Sequence, residues 1–296
     1  MDANSQALIE FFNHSAGRPS HVDQCLLFAD SGVSGRYCGL NLKSFFQPLA
    51  DTVTLKHVAF EALLRARLDD GRTVSPEQAF TLPKHPDGIV FLDRLCRTMH
   101  AYNFAAQAYP GDMLYLNVHG KHLMNVESGS HGHTFETLLG HCGLSPSQVV
   151  LEILESDIED EARLVEAVAT YQARGYTIAI DDFGCKHSNF DRLWKLTPDI
   201  VKLDRSLILQ SSDNPRARKI LPKLVGILQD LGAKVVCEGI ETGLHHRIAV
   251  DVGADMVQGY FYASPGSCLH APPERQAANS PPLTYSAESR SRCVPA

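Results

Sequence analysis

The 296-residue chain lacks any apolar run approaching the ~18 residues that a membrane-spanning helix needs, so no membrane insertion is expected. Its first residues, MDANSQALIEFFNHSAG, lack the basic stretch and continuous apolar core of a secretory signal, which makes the cytoplasm the expected compartment. A surplus of cations is missing too. Lys and Arg number 27 against 34 Asp and Glu, and a net charge of −7 removes a DNA or RNA polymer from the expected partners. A local cationic pocket for a small anion remains compatible with that balance. The eight cysteines contain no CxxC pair and read as reduced residues, not as a disulfide framework. His21, Cys25 and Cys38 match no standard zinc-finger spacing. A Gly-rich nucleotide turn is likewise absent, which speaks against an open doubly wound sheet.

What is present is ordinary globular composition, 44% hydrophobic and 21% charged, with strand-like and helix-like stretches in alternation. Short runs rich in Val, Ile, Leu and Tyr predict strands over Phe45–Ala50, His57–Ala62, Met113–Val118, Val149–Leu154, Thr177–Asp181, Ile200–Leu203, Lys234–Cys237 and Met256–Tyr260. Amphipathic spacing predicts helices over Asp160–Arg174 and Arg216–Leu231, the second ending before Gly232. About eight strand–helix units in ~230 residues suggest an α/β chain closed into a barrel. Residues 1–40 read as a short N-terminal extension and 269–296 as a Pro/Ser-rich, flexible tail around a domain at 41–268.

A polar residue stands at or near the C-terminal end of most of these runs: Glu61, Asn117, Glu152, Asp181 with Asp182, Lys202 and Glu238, with Gln258 in the last. In a parallel barrel such ends converge on one rim. Asp69-Asp70-Gly71 is the useful contrast, an acidic pair in polar surroundings that reads as a surface turn. Asp181 instead closes the apolar run Tyr176–Ile180, where a carboxylate is costly unless paired or bound to a cation. Oxygen-only ligands favour Mg2+ or Mn2+, and five carboxylates suit two divalent cations better than one. Two such ions about 3.5–4 Å apart serve in-line displacement at phosphorus. The residues by themselves therefore point to metal-dependent phosphoryl transfer.

A series of motifs runs in order along the chain: FQPL at Phe46–Leu49, FEALLR at Phe60–Arg65, LNV at Leu116–Val118, LEILES at Leu151–Ser156 and IDDFG at Ile180–Gly184. IVKLDRS at Ile200–Ser206, VVCEGIET at Val235–Thr242 and VQGYFYASP at Val257–Pro265 complete the series. It resembles that of the EAL domain family, bacterial cyclic-di-GMP phosphodiesterases, and the resemblance spans Leu42 to Pro265. It implies a modified (β/α)8 TIM-like barrel with one antiparallel strand, and hydrolysis of cyclic-di-GMP to linear pGpG. It further implies that Glu61, Asn117, Glu152 and Asp181 hold one cation, and that Asp181, Asp182 and Glu238 hold the other. Lys202 and Gln258 would serve the attacking water, with Gln47, Leu63 and Arg65 on the substrate and Glu155 steadying the loop after the aspartate pair. Family members often dimerise near that loop, which makes a homodimer an expectation by analogy.

Two positions depart from the family pattern. Cys185-Lys186-His187 replaces the usual Thr-Gly continuation after DDFG, and Ala66 stands where a Trp is usual. Neither change removes a metal-ligand candidate. A redox or metal role for the loop has no partner cysteine or ligand spacing behind it, so a tolerated variant is the simpler reading. The alternative function is a catalytically weak or inactive EAL domain that binds cyclic-di-GMP or a protein and signals by conformation. An unrelated barrel using Lys202 as a base fits the ordered motifs less well.

Overall fold

The computed structural model describes residues 3–15, 25–29, 32–118, 130–154, 161–185 and 190–269. Eight strands form a closed ring: β3 (Leu40–Asp51), β4 (His57–Leu68), β6 (Met113–Val118), β7 (Val149–Leu154), β8 (Thr177–Phe183), β9 (Ile200–Leu203), β10 (Lys234–Cys237) and β11 (Met256–Val257). From β4 round to β11 the neighbours pair in parallel, and β3 closes the ring by pairing antiparallel with both. The chain is thus a modified (β/α)8 barrel with one antiparallel strand.

β3 and β4 run longer than their apolar cores predict, because their distal halves leave the barrel as an antiparallel ribbon. Strands β1 (Leu26–Ala29) and β2 (Gly32–Tyr37) extend that ribbon on the β3 side, and β5 (Thr73–Val74) extends it beside β4. Asp69-Asp70-Gly71 forms the exposed turn that the polar surroundings foretold, with Gly71 at φ 87°. Helix α1 (Ala3–Ser15) also joins the core through Leu8 and Phe12, both buried. It lies on α3 (Pro86–Ala105), where Ser5 and Tyr102 hydroxyls meet at 2.7 Å and Phe12 packs on Phe91.

The helices start where the sequence supplies caps. Ser75 and Gln78 form a capping box on α2 (Pro76–Thr81), and Pro86 opens α3. Next come α4 (Ser130–His141), α5 (Glu161–Ala173) and α6 (Phe190–Leu196). Asp204 caps α7 (Arg205–Asp213), Asn214 caps α8 (Pro215–Asp230), and Thr242 caps α9 (Gly243–Asp251). None of the described helices is long and apolar enough to cross a membrane.

Two matching clasps close the end of the barrel away from the site. Asp199 accepts from the Ile178 amide at 2.8 Å and from Gln172, while Asp255 accepts from the Val235 amide at 2.8 Å and from Gln229. Both acids sit just before a strand, so each pins the start of one strand to the start of its neighbour.

Inside the barrel every strand contributes one residue to a small apolar plug: Leu49, Ala59, Tyr115, Val150, Ala179, Ile200, Val236 and Met256. Side chains alternate along a strand, so the next inward layer lies two residues further toward the rim. That layer is the site.

Candidate active site

The plug positions plus two give Glu61, Asn117, Glu152, Asp181, Lys202, Glu238 and Gln258. β3 runs the other way, and minus two gives Gln47. One period of strand alternation therefore converts a dry core into a polar ring. Gln258 falls one residue beyond β11, not within a longer strand, because the pairing with β3 ends at Val257.

Lys202, 1% exposed, stands at the centre. Its Nζ lies 2.5 Å from Glu152, 2.7 Å from Glu238, 3.2 Å from Asp181 and 3.5 Å from Glu61. Asn117 bridges two of these acids, donating to Glu61 at 3.3 Å and to Glu152 at 3.1 Å. Gln258 donates to the other oxygen of Glu61 at 2.7 Å. The adjacent pair Asp181 and Asp182 would ordinarily face opposite sides of a strand. Here the β8–β9 register shifts between Ile180 and Phe183, and Asp182 adopts φ 56°. Oxygens of Asp181, Asp182 and Glu238 consequently lie within 4.8 Å of one another. A left-handed aspartate is strained by roughly 1–2 kcal/mol, a cost that the bulge accepts to bring two neighbours into one site.

Burial and like charge govern the protonation of this ring. Burial pushes Glu238 up to about 8 despite the lowering effect of Lys202, with Asp181 and Glu61 adding to the rise. Asp182, more exposed, is pushed up to about 6 by partial burial and by the charges of Asp181 and Asp204. Burial likewise raises Glu152 well above the carboxylate range. For Lys202 burial acts downward, but Asp181, Glu152, Glu238 and Glu61 outweigh it and hold the ammonium well above its usual value.

The donor set fits divalent cations. Glu61, Glu152, Asp181, Asp182 and Glu238 carry five negative charges when ionised and Lys202 one positive, a net −4 that two divalent ions would balance. All candidate ligands offer oxygen, as hard cations require. In addition the Gln258 Oε1 is buried without a hydrogen-bond partner, and the residue is only 3% exposed. A buried orphan acceptor beside a carboxylate ring is what a bound water or ion would satisfy.

Two cavities flank the ring and share Glu61, Asp181 and Asp182. One of about 340 Å3 reaches Gln47, Arg205, Glu241 and Tyr260; the other, about 690 Å3, reaches Leu63, Phe80, Asp93, Arg97 and His100. Gln47 donates to the Ala263 carbonyl at 3.1 Å. Arg65 sits on the rim outside both linings, its guanidinium 5.1 Å above the Phe45 ring and donating to the Leu64 carbonyl. Glu155, Lys186 and His187 lie outside the described residues. Sequence reasoning missed Asp204, Arg205 and Glu241. The signal was available, since Asp204 and Arg205 follow the strand that carries Lys202, and Glu241 comes three residues after Glu238.

The EAL domain profile matches residues 39–265, which include the entire barrel. The chain belongs to the EAL domain family. Among its relatives is the cyclic di-GMP phosphodiesterase RocR of Pseudomonas aeruginosa, 31% identical over 51% of this chain and 38% of RocR. A second phosphodiesterase of that organism, PA2567, is 31% identical over 74% of this chain and 38% of its own. The chain spans less than half the length of these curated relatives. Of the solved structures, BlrP1 of Klebsiella pneumoniae in a manganese and cyclic-di-GMP complex superposes with a TM-score of 0.67. It is 25% identical and covers 76% of this chain and 56% of that one. That EAL structure holds manganese together with cyclic-di-GMP, and the present chain carries an acidic cluster of Asp181, Asp182 and Glu238 at its own barrel mouth.

Proposed function

We propose that this EAL domain is an active cyclic-di-GMP phosphodiesterase that opens one phosphodiester to give linear pGpG with Mg2+ or Mn2+. The observation that supports it is the single inward layer in which four carboxylates and two amides surround Lys202, with Asp182 brought beside Asp181 and Glu238 by the bulge. Glu61, Asn117, Glu152 and Asp181 would hold one cation, and Asp181, Asp182 and Glu238 the second. When bound, such ions acidify water and neutralise charge developing on phosphoryl oxygens.

The chain's own groups supply the rest. Lys202, fixed by four acids, donates toward the attacking water and offsets charge on the phosphate. The orphan Gln258 Oε1 accepts from that water, while its Nε2 stays on Glu61. Leu63 contributes an apolar wall to the larger cavity, and Gln47 an amide to the smaller. Arg65 reaches a phosphate only by leaving Phe45. Glu155 would brace the loop after the aspartate pair.

Chromatography after incubating the purified protein with cyclic-di-GMP tests the reading. pGpG is expected with Mg2+ or Mn2+ and none with a chelator. Substrate binding without pGpG at high enzyme concentration in either metal would instead establish a signalling receptor.

A further inference from the structure

The cations along the two cavities differ in how firmly they are held. Lys202 and Arg97 are each 1% exposed, Lys202 caged by four carboxylates and Arg97 by Asp93 and the Phe135 ring. Arg205 is unlike both. Half of its side chain is exposed, and its one ion pair among the described residues is to Glu241, at 3.0 Å. It lines the same cavity as Asp181, Asp182 and Glu238.

Its placement is built into the backbone. Asp204 caps α7 through the Ser206 amide at 3.0 Å, which fixes the helix start from which Arg205 projects. Gly239, at φ 64°, lies so close that a Cβ there would meet Arg205 Cγ at 2.4 Å. The Glu238–Glu241 loop thus carries a carboxylate of the ring at one end and the partner of Arg205 at the other. In the ring of strands, β4 and β9 are four steps apart either way: β4-β6-β7-β8-β9 or β4-β3-β11-β10-β9. Arg65 and Arg205 therefore flank opposite sides of the barrel mouth.

A cyclic dinucleotide brings two phosphodiesters on opposite sides of its ring. Only one can lie at the carboxylate ring, and the other is left among acids unless a cation meets it. We propose that Arg205 binds the phosphodiester that is not cleaved, exchanging Glu241 for the substrate. This rests on the cyclic-dinucleotide reading above. Glu241 acts as a latch: it holds the guanidinium over the cavity and repels any anion too weak to displace it. A single exposed ion pair contributes little to stability, so the exchange is inexpensive, while a guanidinium suits two phosphate oxygens at once.

The test is Arg205→Gln in the full chain, with Kd measured by calorimetry for the hydrolysis-resistant phosphorothioate analogue of cyclic-di-GMP in Mg2+. Losing one charged hydrogen-bond partner weakens Kd and KM about 10- to 100-fold, with kcat falling less than about threefold. Arg205→Lys is expected to restore part of the affinity. Preference for cyclic-di-GMP over bis(p-nitrophenyl) phosphate, which has one phosphodiester, should fall by the same factor as Kd rises. Glu241→Gln frees the guanidinium and is expected to tighten Kd, the opposite sign. A structural brace between the two residues would make both variants bind worse, and that result overturns the proposal. Should Arg205→Gln not fold, the sign of the Glu241→Gln effect decides alone. Wild-type turnover with unaltered Kd in Arg205→Gln overturns the Arg205 role and leaves the phosphodiesterase standing. A wild-type protein that neither binds the analogue nor cleaves the substrate overturns both.

Discussion

Replacing Lys202 by Met tests the site most directly, because it removes the central charge while keeping an unbranched side chain of similar length. The ammonium is 1% exposed, and the side chains of Glu152, Asp181, Glu61 and Glu238 around it are only 0%, 11%, 10% and 17% exposed. Removing one member of a buried ionic cluster leaves its partners uncompensated, a loss of about 3–5 kcal/mol. At roughly 2 °C per kcal/mol for a chain of this size, the metal-free Tm should fall by about 6–10 °C. The same change takes the ionised ring from a net −4 to −5 and removes the cation that competes with Mg2+. Added Mg2+ should therefore raise Tm more in the variant than in wild type. Turnover should still drop by about two to three orders of magnitude, since a preorganised charge at the phosphoryl group is gone. Differential scanning fluorimetry across a Mg2+ titration reads both stability effects. A metal-free Tm equal to or above wild type, together with a smaller Mg2+ shift, would mean that Lys202 compensates no charge on the acids around it and that the cage reasoning is wrong.

Stability of the metal-free protein should fall as pH rises from about 5 to 8. Burial raises the folded-state values of Glu238 to about 8 and Asp182 to about 6, so the folded state holds protons that the unfolded state has released. The stabilising contribution of both groups is complete below their unfolded values near 4 and disappears through the folded ones. Protons and cations compete for the same oxygens, so the Mg2+-induced rise in Tm should grow over that window; a rise independent of pH would count against the ligand set. Gly259→Ala should cost several kcal/mol and most of the turnover, because its Cβ would fall 2.1 Å from the Ile240 carbonyl oxygen. The Gln258 amide moves with that backbone, so normal melting and normal kcat together would show the contact to be slack.

Much of the barrel was legible because buried parallel strands are written as continuous apolar runs, and a polar residue inside one has no bland purpose. Val149-Val150-Leu151-Glu152-Ile153-Leu154 is such a run, and Glu152 proves 1% exposed against Lys202. Ile200-Val201-Lys202-Leu203 repeats the pattern. The Asp181–Asp182 bulge was not legible, since strand alternation alone sends adjacent side chains to opposite faces and only φ 56° at Asp182 reverses that. Nor was the docking of α1, β1 and β2. Their contacts fall on α3, α4 and β3, and mixed composition gives no period by which to anticipate such long-range packing.

Gln47 and Arg205 show where reading strand ends fails in principle. The rule that functional groups occupy C-terminal strand ends presumes parallel strands. β3 is antiparallel to both neighbours, so its residues near the rim precede its plug residue: Gln47 comes before Leu49, whereas Glu61 follows Ala59. Periodicity gives the spacing of two but not its sign, because direction belongs to the pairing and not to the strand. Arg205 lies beyond its strand, on the first turn of a helix whose direction depends on the Asp204 cap. Its neighbour across the cavity comes from the next β/α unit, after Gly239 has let the loop pass. The carboxylate ring can be inferred one strand at a time. The Arg205–Glu241 pair exists only where two units meet, so substrate recognition in this barrel is less visible in any one motif than the acids that would carry its chemistry.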